Sequence, residues 1–268
     1  MSAGKIGGLG LGGIIIVGII TLLMGGNPAD VFQYIDTGSD ITTSAPYVES
    51  AEDKELFDFA SIILAGTEDV WSEIFRKNNL TYTPPKLVIF NGSVQSGCGG
   101  ATSQSGPFYC SADQCVYLDL SFFKDMQKQL GTSGDFAWAY VISHEVGHHV
   151  QYLLGTLSEV HRQQASSDKK LANQLSVRLE LQADFYAGIW GYHDNKNFNS
   201  LEDGDIEEGL NAATAIGDDL LQKQAYGRTV PDSFTHGTSK QRTKWLKKGL
   251  TTGNPALGDT FSPRYSDL

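Results

Sequence analysis

Residues 136 to 154 read FAWAYVISHEVGHHVQYLL, and no other stretch of the chain says as much about its fold and chemistry. Its apolar residues recur at the spacing of a helix, and it contains the pattern H-E-x-x-H. Positions i and i+4 of a helix lie on one face, so His144 and His148 can bind one metal ion together. Glu145 then reaches a water on the metal rather than the metal itself. The alternative is a pair of helix histidines that pack in the core.

A second helical stretch offers the third ligand that a zinc site of this kind needs. Residues 178 to 184 read RLELQAD and place Glu180 and Asp184 one turn apart. Two carboxylates on a helix usually lie on a solvated face, but these have apolar neighbours, and a buried carboxylate needs a metal or a partner. We predict that Glu180 binds zinc and that Asp184 orients a ligand imidazole through its free N–H group.

A third candidate lies in the polar segment SFTHGTSKQR, residues 233 to 242. His236 stands there among glycine, threonine and serine rather than on an apolar helix face. Such a histidine can contact a substrate or stabilise an oxyanion. The alternative is a surface histidine that caps loop backbone.

The rest of the pattern predicts an α+β protein in which a small sheet lies beside the H-E-x-x-H helix. Asp135 is a candidate N-cap of that helix, and Gly155 a candidate stop. The other predicted elements are one or two helices over 51–77, strands over 86–90 and 115–123 separated by a long loop or irregular hairpin, further helices to the region of Trp190 with a break near Ser166, and one helix over 206–225.

The N-terminus carries an uncharged apolar segment from Ile6 to Gly26. As a helix, its 21 residues span about 31 Å, enough to cross the hydrocarbon core of a bilayer. A buried helix and a cleaved signal peptide are the alternatives, but no A-x-A-like cleavage site follows. We predict a membrane anchor over 1–27, a tether over 28–50 and one domain over 51–268.

Charge and composition narrow the function further. Lys5 precedes the apolar segment and acidic residues follow it, which favours a cytoplasmic N-terminus and a domain outside the cytoplasm. With 20 basic and 31 acidic residues the net charge is -11, and the absence of basic clusters argues against nucleic acid as a partner. Three cysteines are too few for a disulfide scaffold, and they allow three single pairings.

The chain resembles the putative neutral zinc metallopeptidase (YpfJ-like) family of bacteria. The resemblance covers nearly the whole chain, and its motifs are SGCGG and SGPFYC within 96–110, VYLDLSF at 116–122, HEVGHHVQ at 144–151, RLELQADFYAGIW at 178–190, AIGDD at 215–219 and SFTHGTSKQR at 233–242. It implies a zincin-type peptidase anchored in the bacterial cell envelope, with a peptide or protein substrate. It also implies a Cys98–Cys110 disulfide, which leaves Cys115 as a small buried hydrophobe.

The predicted reaction is peptide-bond hydrolysis with one Zn²⁺ ion held by His144, His148 and Glu180. Glu145 acts as general base and His236 stabilises the oxyanion. The Gly/Ser-rich segment before the strand at Val116 offers an edge on which an extended substrate can add as a strand.

Three other interpretations remain at this point. The chain could hydrolyse a non-peptide amide, bind no metal at all, or be a membrane-tethered binding module that keeps zinc for structure. A fourth protein ligand would indicate the binding module. His149 is adjacent to the motif but points about 100° away on a helix, so we do not expect it to be that ligand.

Overall fold

The computed structural model describes residues 50–119, 121–122 and 134–268. Within these ranges no helix combines the length and the apolar character needed to cross a bilayer. The predicted anchor over 1–27, with its span from Ile6 to Gly26, lies outside the described residues, as does nearly all of the predicted tether.

The described part of the chain is a mixed α+β structure in which helices predominate, as predicted. Its helices are α1 (Ala51–Lys77), α2 (Asp135–Leu153), α3 (Thr156–Ala165), α4 (Lys169–Phe198), α5 (Asp205–Ala215), α6 (Asp218–Tyr226) and α7 (Ser239–Thr252). Its strands are β1 (Lys86–Phe90), β2 (Ser93–Ser96), β3 (Gly99–Thr102), β4 (Phe108–Cys110) and β5 (Cys115–Asp119).

The strands form two small sheets. In the larger one the order is β1-β5-β4, with β1 parallel and β4 antiparallel to β5, while β2 and β3 form a separate hairpin. Every residue of β5 is buried, as expected for a strand with neighbours on both sides. Helix α2 packs against β4 and β5, so the sheet lies beside the H-E-x-x-H helix as predicted.

Three predicted boundaries are wrong. The strand predicted over 115–123 ends at Asp119, whose carboxylate accepts hydrogen bonds from the Ser121 backbone N–H and hydroxyl and so turns the chain. Asp135 is the first residue of α2, and Gly134 holds the N-cap position. The single helix predicted over 206–225 is two helices, because the chain turns at Gly217, where a Cβ would lie 2.2 Å from the backbone nitrogen of Ser239.

Helix α4 lies at the centre of the helical layer and packs against both α2 and α7. At the α2–α4 contact, a Cβ on Gly147 would lie 3.0 Å from the carbonyl oxygen of Ala183. Glycine therefore lets the backbone of the H-E-x-x-H helix approach the helix that carries Glu180 and Asp184.

The α4–α7 crossing is closer still. A Cβ on Gly188 would lie 2.3 Å from the carbonyl oxygen of Leu246, and one on Gly249 would lie 2.2 Å from that of Phe185. Two backbones in such contact cannot accept a methyl group without moving apart, because protein interiors are close-packed.

We expect Gly188→Ala to lower the free energy of unfolding by at least about 2 kcal/mol, since it forces α4 and α7 apart. Gly66→Ala is the matched control, because Gly66 also lies inside a helix but faces the flexible side chain of Asp194. The control should stay within about 1 kcal/mol of the wild type. Urea unfolding of both variants measures the difference, and equal stabilities would contradict the close crossing.

A disulfide joins Cys98, in the turn of the β2–β3 hairpin, to Cys110 at the end of β4. This is the predicted pairing. Cys115 is a buried free thiol, also as predicted. The bond ties the hairpin to the strand that borders the candidate site.

Candidate metal centre

The structure brings the three predicted ligands together between α2 and α4. Nε2 of His144 lies 3.2 Å from Oε2 of Glu180, and Nε2 of His148 lies 3.5 Å from Oε1 of the same carboxylate. The two imidazole rings are nearly perpendicular, with centroids 4.9 Å apart. Within the described residues no fourth His, Cys, Asp or Glu joins this group.

The three side chains lie close enough together to share one metal ion. Ligands that lie 2.0–2.1 Å from one tetrahedral zinc are about 3.3 Å from each other. The observed 3.2 and 3.5 Å run from the two Nε2 atoms to different oxygens of the Glu180 carboxylate, and one ligand atom of each of the three residues lies within 4.8 Å of the other two. Two imidazoles and one carboxylate are also a ligand set of catalytic zinc sites, in which the fourth position is left for water or substrate.

Asp184 contacts Nδ1 of His144. Its Oδ1 lies 2.9 Å from Nδ1 of His144 and also accepts a hydrogen bond from the hydroxyl of Tyr140 at 2.6 Å. Arg242 donates to both carboxylate oxygens of Asp184, at 2.9 and 2.8 Å. The carboxylate is therefore buried with its charge paired, and it holds His144 with Nε2 directed at Glu180.

His148 has a different partner at Nδ1. Its Nδ1 lies 2.9 Å from Oε1 of Gln151, one turn further along α2. Each predicted histidine ligand thus has an acceptor at Nδ1, and each presents Nε2 to the same carboxylate.

Glu145 is buried beside this group and lies next to the backbone of Tyr109 in β4. Burial raises the pKa of the Glu145 carboxyl, and the nearby charges of His144 and His148 oppose that rise. A carboxylate whose pKa is raised toward neutrality is suited to accept and return a proton.

His236 lies near Glu180 and is held by a partner that we did not predict. Oδ1 of Asp218 is 3.2 Å from Nδ1 of His236, and Oδ2 accepts backbone N–H bonds from Thr235, His236 and Gly237. Burial lowers the pKa of His236, but the Asp218 carboxylate outweighs that effect and raises it. Among the described residues Nε2 of His236 has no hydrogen-bond partner, so this ring nitrogen is available to a ligand.

The charged side chains of this group shift one another's pKa values. Burial lowers the pKa of His144, but its hydrogen bonds to Asp184 and Glu180 outweigh burial and raise it. Burial raises the pKa of Glu180, whereas His148 and His144 hold it well below the usual range. Asp184 has a pKa of about 2, because the Arg242 guanidinium and His144 overcome the effect of its burial.

His149 is not part of the group, in agreement with the prediction. Its Nδ1 lies 2.8 Å from the hydroxyl of Tyr109 and its Nε2 2.6 Å from the carbonyl oxygen of Thr83. Both ring nitrogens of His149 thus have hydrogen-bond partners, which connect α2 to β4 and to the segment before β1.

Sequence reasoning missed four residues that support the site: Tyr140, Gln151, Asp218 and Arg242. A signal existed for two of them. Gln151 follows His148 by three positions on the same helix face. Arg242 begins the buried stripe of α7, which continues with Trp245, Leu246, Gly249 and Leu250. Asp218 lies in AIGDD, one of the motifs of the resemblance, but no local pattern indicates its partner, and Tyr140 has no comparable signal.

The chain belongs to the family described as putative neutral zinc metallopeptidase, whose model matches residues 1–261. It is 50% identical over 254 residues to YpfJ of Escherichia coli (strain K12), covering 94% of this chain and 87% of that protein. It is also 38% identical over 247 residues to Rv2575 of Mycobacterium tuberculosis (strain ATCC 25618 / H37Rv), covering 88% and 80%. Both relatives are named as uncharacterized proteins. No solved structure matches the chain.

Proposed function

We propose that this protein is a zinc-dependent metallopeptidase of the zincin type, with its domain over 51–268 outside the cytoplasm and an N-terminal anchor over 1–27. The observation that carries the proposal is the three-ligand group of His144, His148 and Glu180 with Glu145 beside it. Three protein ligands are the arrangement of catalytic zinc sites, whereas structural sites have four. The family description supports the same activity.

Zn²⁺, when bound, lowers the pKa of a coordinated water to about 7 and polarises a carbonyl group. Glu145 takes a proton from the attacking water on its carboxylate and delivers it to the nitrogen of the leaving amine. His236 directs Nε2 at the carbonyl oxygen as negative charge develops there, while Asp218 fixes its ring through Nδ1.

The position of β4 supports an extended peptide as substrate. The sheet order β1-β5-β4 makes β4 an edge strand, and Tyr109, whose backbone lies next to Glu145, belongs to this strand. A peptide that adds to the free side of β4 by main-chain hydrogen bonds passes beside Glu145. The Cys98–Cys110 disulfide supports an oxidising compartment for the domain.

The test is peptide-library profiling of residues 51–268, supplemented by the full chain in detergent. We expect cleavage that stops with a chelator and returns with stoichiometric Zn²⁺. Cleavage that a chelator does not affect, or zinc binding without cleavage of any peptide, would contradict the proposal. The second result would favour a zinc-containing binding module.

A histidine that acts on the oxyanion should affect the rate and leave the metal in place. We expect His236→Ala to stay folded and keep its zinc, with a lower melting temperature because Asp218 loses a partner, to lower kcat by about 10²–10³, and to change KM little. Zinc stoichiometry, thermal unfolding and kinetics on this one variant provide the check. Loss of zinc would show that His236 is a metal ligand. An unchanged kcat would show that His236 only stabilises its loop.

A further inference from the structure

Gln151 is a completely buried amide that joins α2 to α4 at the metal centre. Its Oε1 lies 2.9 Å from Nδ1 of His148. Its Nε2 donates to the carbonyl oxygen of Leu179 at 2.7 Å and to Oε1 of Gln182 at 3.1 Å. Both amide hydrogens and the amide oxygen of Gln151 therefore have partners.

The surroundings of Gln151 allow only one orientation of its amide. The Leu179 carbonyl can only accept, so it must face the NH₂ group of Gln151, and the reverse orientation would place two oxygens 2.7 Å apart. Gln182 is fixed in the same way, since its Nε2 donates to the carbonyl oxygen of Gly258 at 2.9 Å. Its Oε1 is then left to face Gln151.

We propose that Gln151 and Gln182 form a relay of oriented amides that fixes the tautomer of His148. This inference rests on the proposed function, because it concerns the zinc-ligating nitrogen. The backbone carbonyls of Leu179 and Gly258 orient the two amides, and Oε1 of Gln151 then faces His148. That oxygen requires a hydrogen on Nδ1, so Nε2 keeps its lone pair for the metal. Gln151 and Gln182 are positioning residues and do not touch the reacting atoms.

The two histidine ligands are thus oriented by different chemistry. His144 has a carboxylate, Asp184, whose charge is paired with Arg242. His148 has a neutral amide and needs no counter-charge in that part of the core. Asp184 and Gln151 each favour the tautomer with a hydrogen on Nδ1 of their histidine. Only the contact between Asp184 and His144 depends on an ion pair, the one between Asp184 and Arg242.

Gln151→Met keeps the volume of the side chain and removes the acceptor. We expect its zinc affinity to fall about 10–100-fold, as for other residues that orient a metal ligand. Asn173→Leu is the matched control: Asn173 is also buried and donates to a backbone carbonyl, that of Asp232, away from the metal centre. The control should bind zinc with wild-type affinity, and an equal loss in both variants would contradict the inference.

Gln182→Met tests the relay itself. We expect a smaller loss of zinc affinity than in Gln151→Met, because Leu179 still orients Gln151. The double variant should bind zinc no more weakly than Gln151→Met alone, since Gln182 acts only through Gln151. Strictly additive losses would show that the two amides act separately and would contradict a relay.

Long-range ¹H–¹⁵N correlation spectra of the zinc-loaded wild type test the tautomer without any substitution. We expect His148 to bind zinc through Nε2 and to carry a hydrogen on Nδ1 that exchanges slowly with solvent. Zinc on Nδ1 would overturn the inference. A wild type that binds no zinc would defeat the proposed function, whereas unchanged zinc affinity in Gln151→Met would defeat the relay alone.

Discussion

Glu145→Gln should abolish peptide hydrolysis and leave zinc binding intact. Glutamine has nearly the same shape as glutamate, and the substitution removes none of the three ligands, so we expect the geometry around them to be kept. It cannot take up the proton of the attacking water. Removing a general base lowers rates by about 10²–10⁴, and we expect an effect at the upper end because the nearby carboxylates are already engaged: Glu180 faces both imidazoles, and Asp184 is paired with Arg242 and His144.

The matched control is Glu159→Gln, which removes the same charge from a solvent-accessible position on α3. Zinc content and kcat/KM of both variants, measured on a substrate found by profiling, give the comparison. Near wild-type cleavage by Glu145→Gln would show that the assigned mechanism is wrong. Loss of zinc from this variant would instead assign Glu145 to the metal.

The second large effect is expected at Glu180. Glu180→Ala removes a ligand that faces both imidazoles, so zinc affinity should fall much further than the about 10–100-fold expected for Asp184→Asn. Competition with a chromophoric chelator measures both affinities. Equal and negligible losses would mean that the third ligand lies elsewhere.

Asp184→Asn should also destabilise the fold, which separates its role from that of Glu180. Arg242 is buried and donates to both oxygens of Asp184, so the substitution leaves a buried guanidinium with a neutral partner. Breaking a buried ion pair costs about 3–5 kcal/mol. Affinities must therefore be compared at a temperature at which circular dichroism shows that both variants are folded.

Several helices, one strand and two helix breaks were predicted correctly from the amino-acid sequence. The H-E-x-x-H helix, the strand at 86–90, the breaks near Gly155 and Ser166, and the helix that carries Glu180 follow from periodicity and from strong break signals. Helical spacing also placed the site residues in two pairs, each on one face of a helix: His144 with His148, and Glu180 with Asp184. The structure brings the two pairs together where these helices contact each other.

What sequence could not predict depends on tertiary contacts. The break at Gly217 arises because the backbone there lies against Ser239, which is distant in sequence. Arg242 lies in a helix rich in lysine, and no local pattern indicates that its partner is Asp184, 58 positions earlier in the chain. Asp218 holds the His236 loop from a position 18 residues earlier in the chain, and no local pattern indicates that pairing.

The most direct test of the central claim is the zinc coordination of the purified protein, measured by X-ray absorption at the zinc edge together with anomalous diffraction from crystals. We expect one zinc ion bound by Nε2 of His144, Nε2 of His148 and the Glu180 carboxylate, with a single light-atom ligand from solvent in the fourth position. Zinc enclosed by four protein ligands, or bound away from these three residues, would contradict the assignment of a catalytic metal centre.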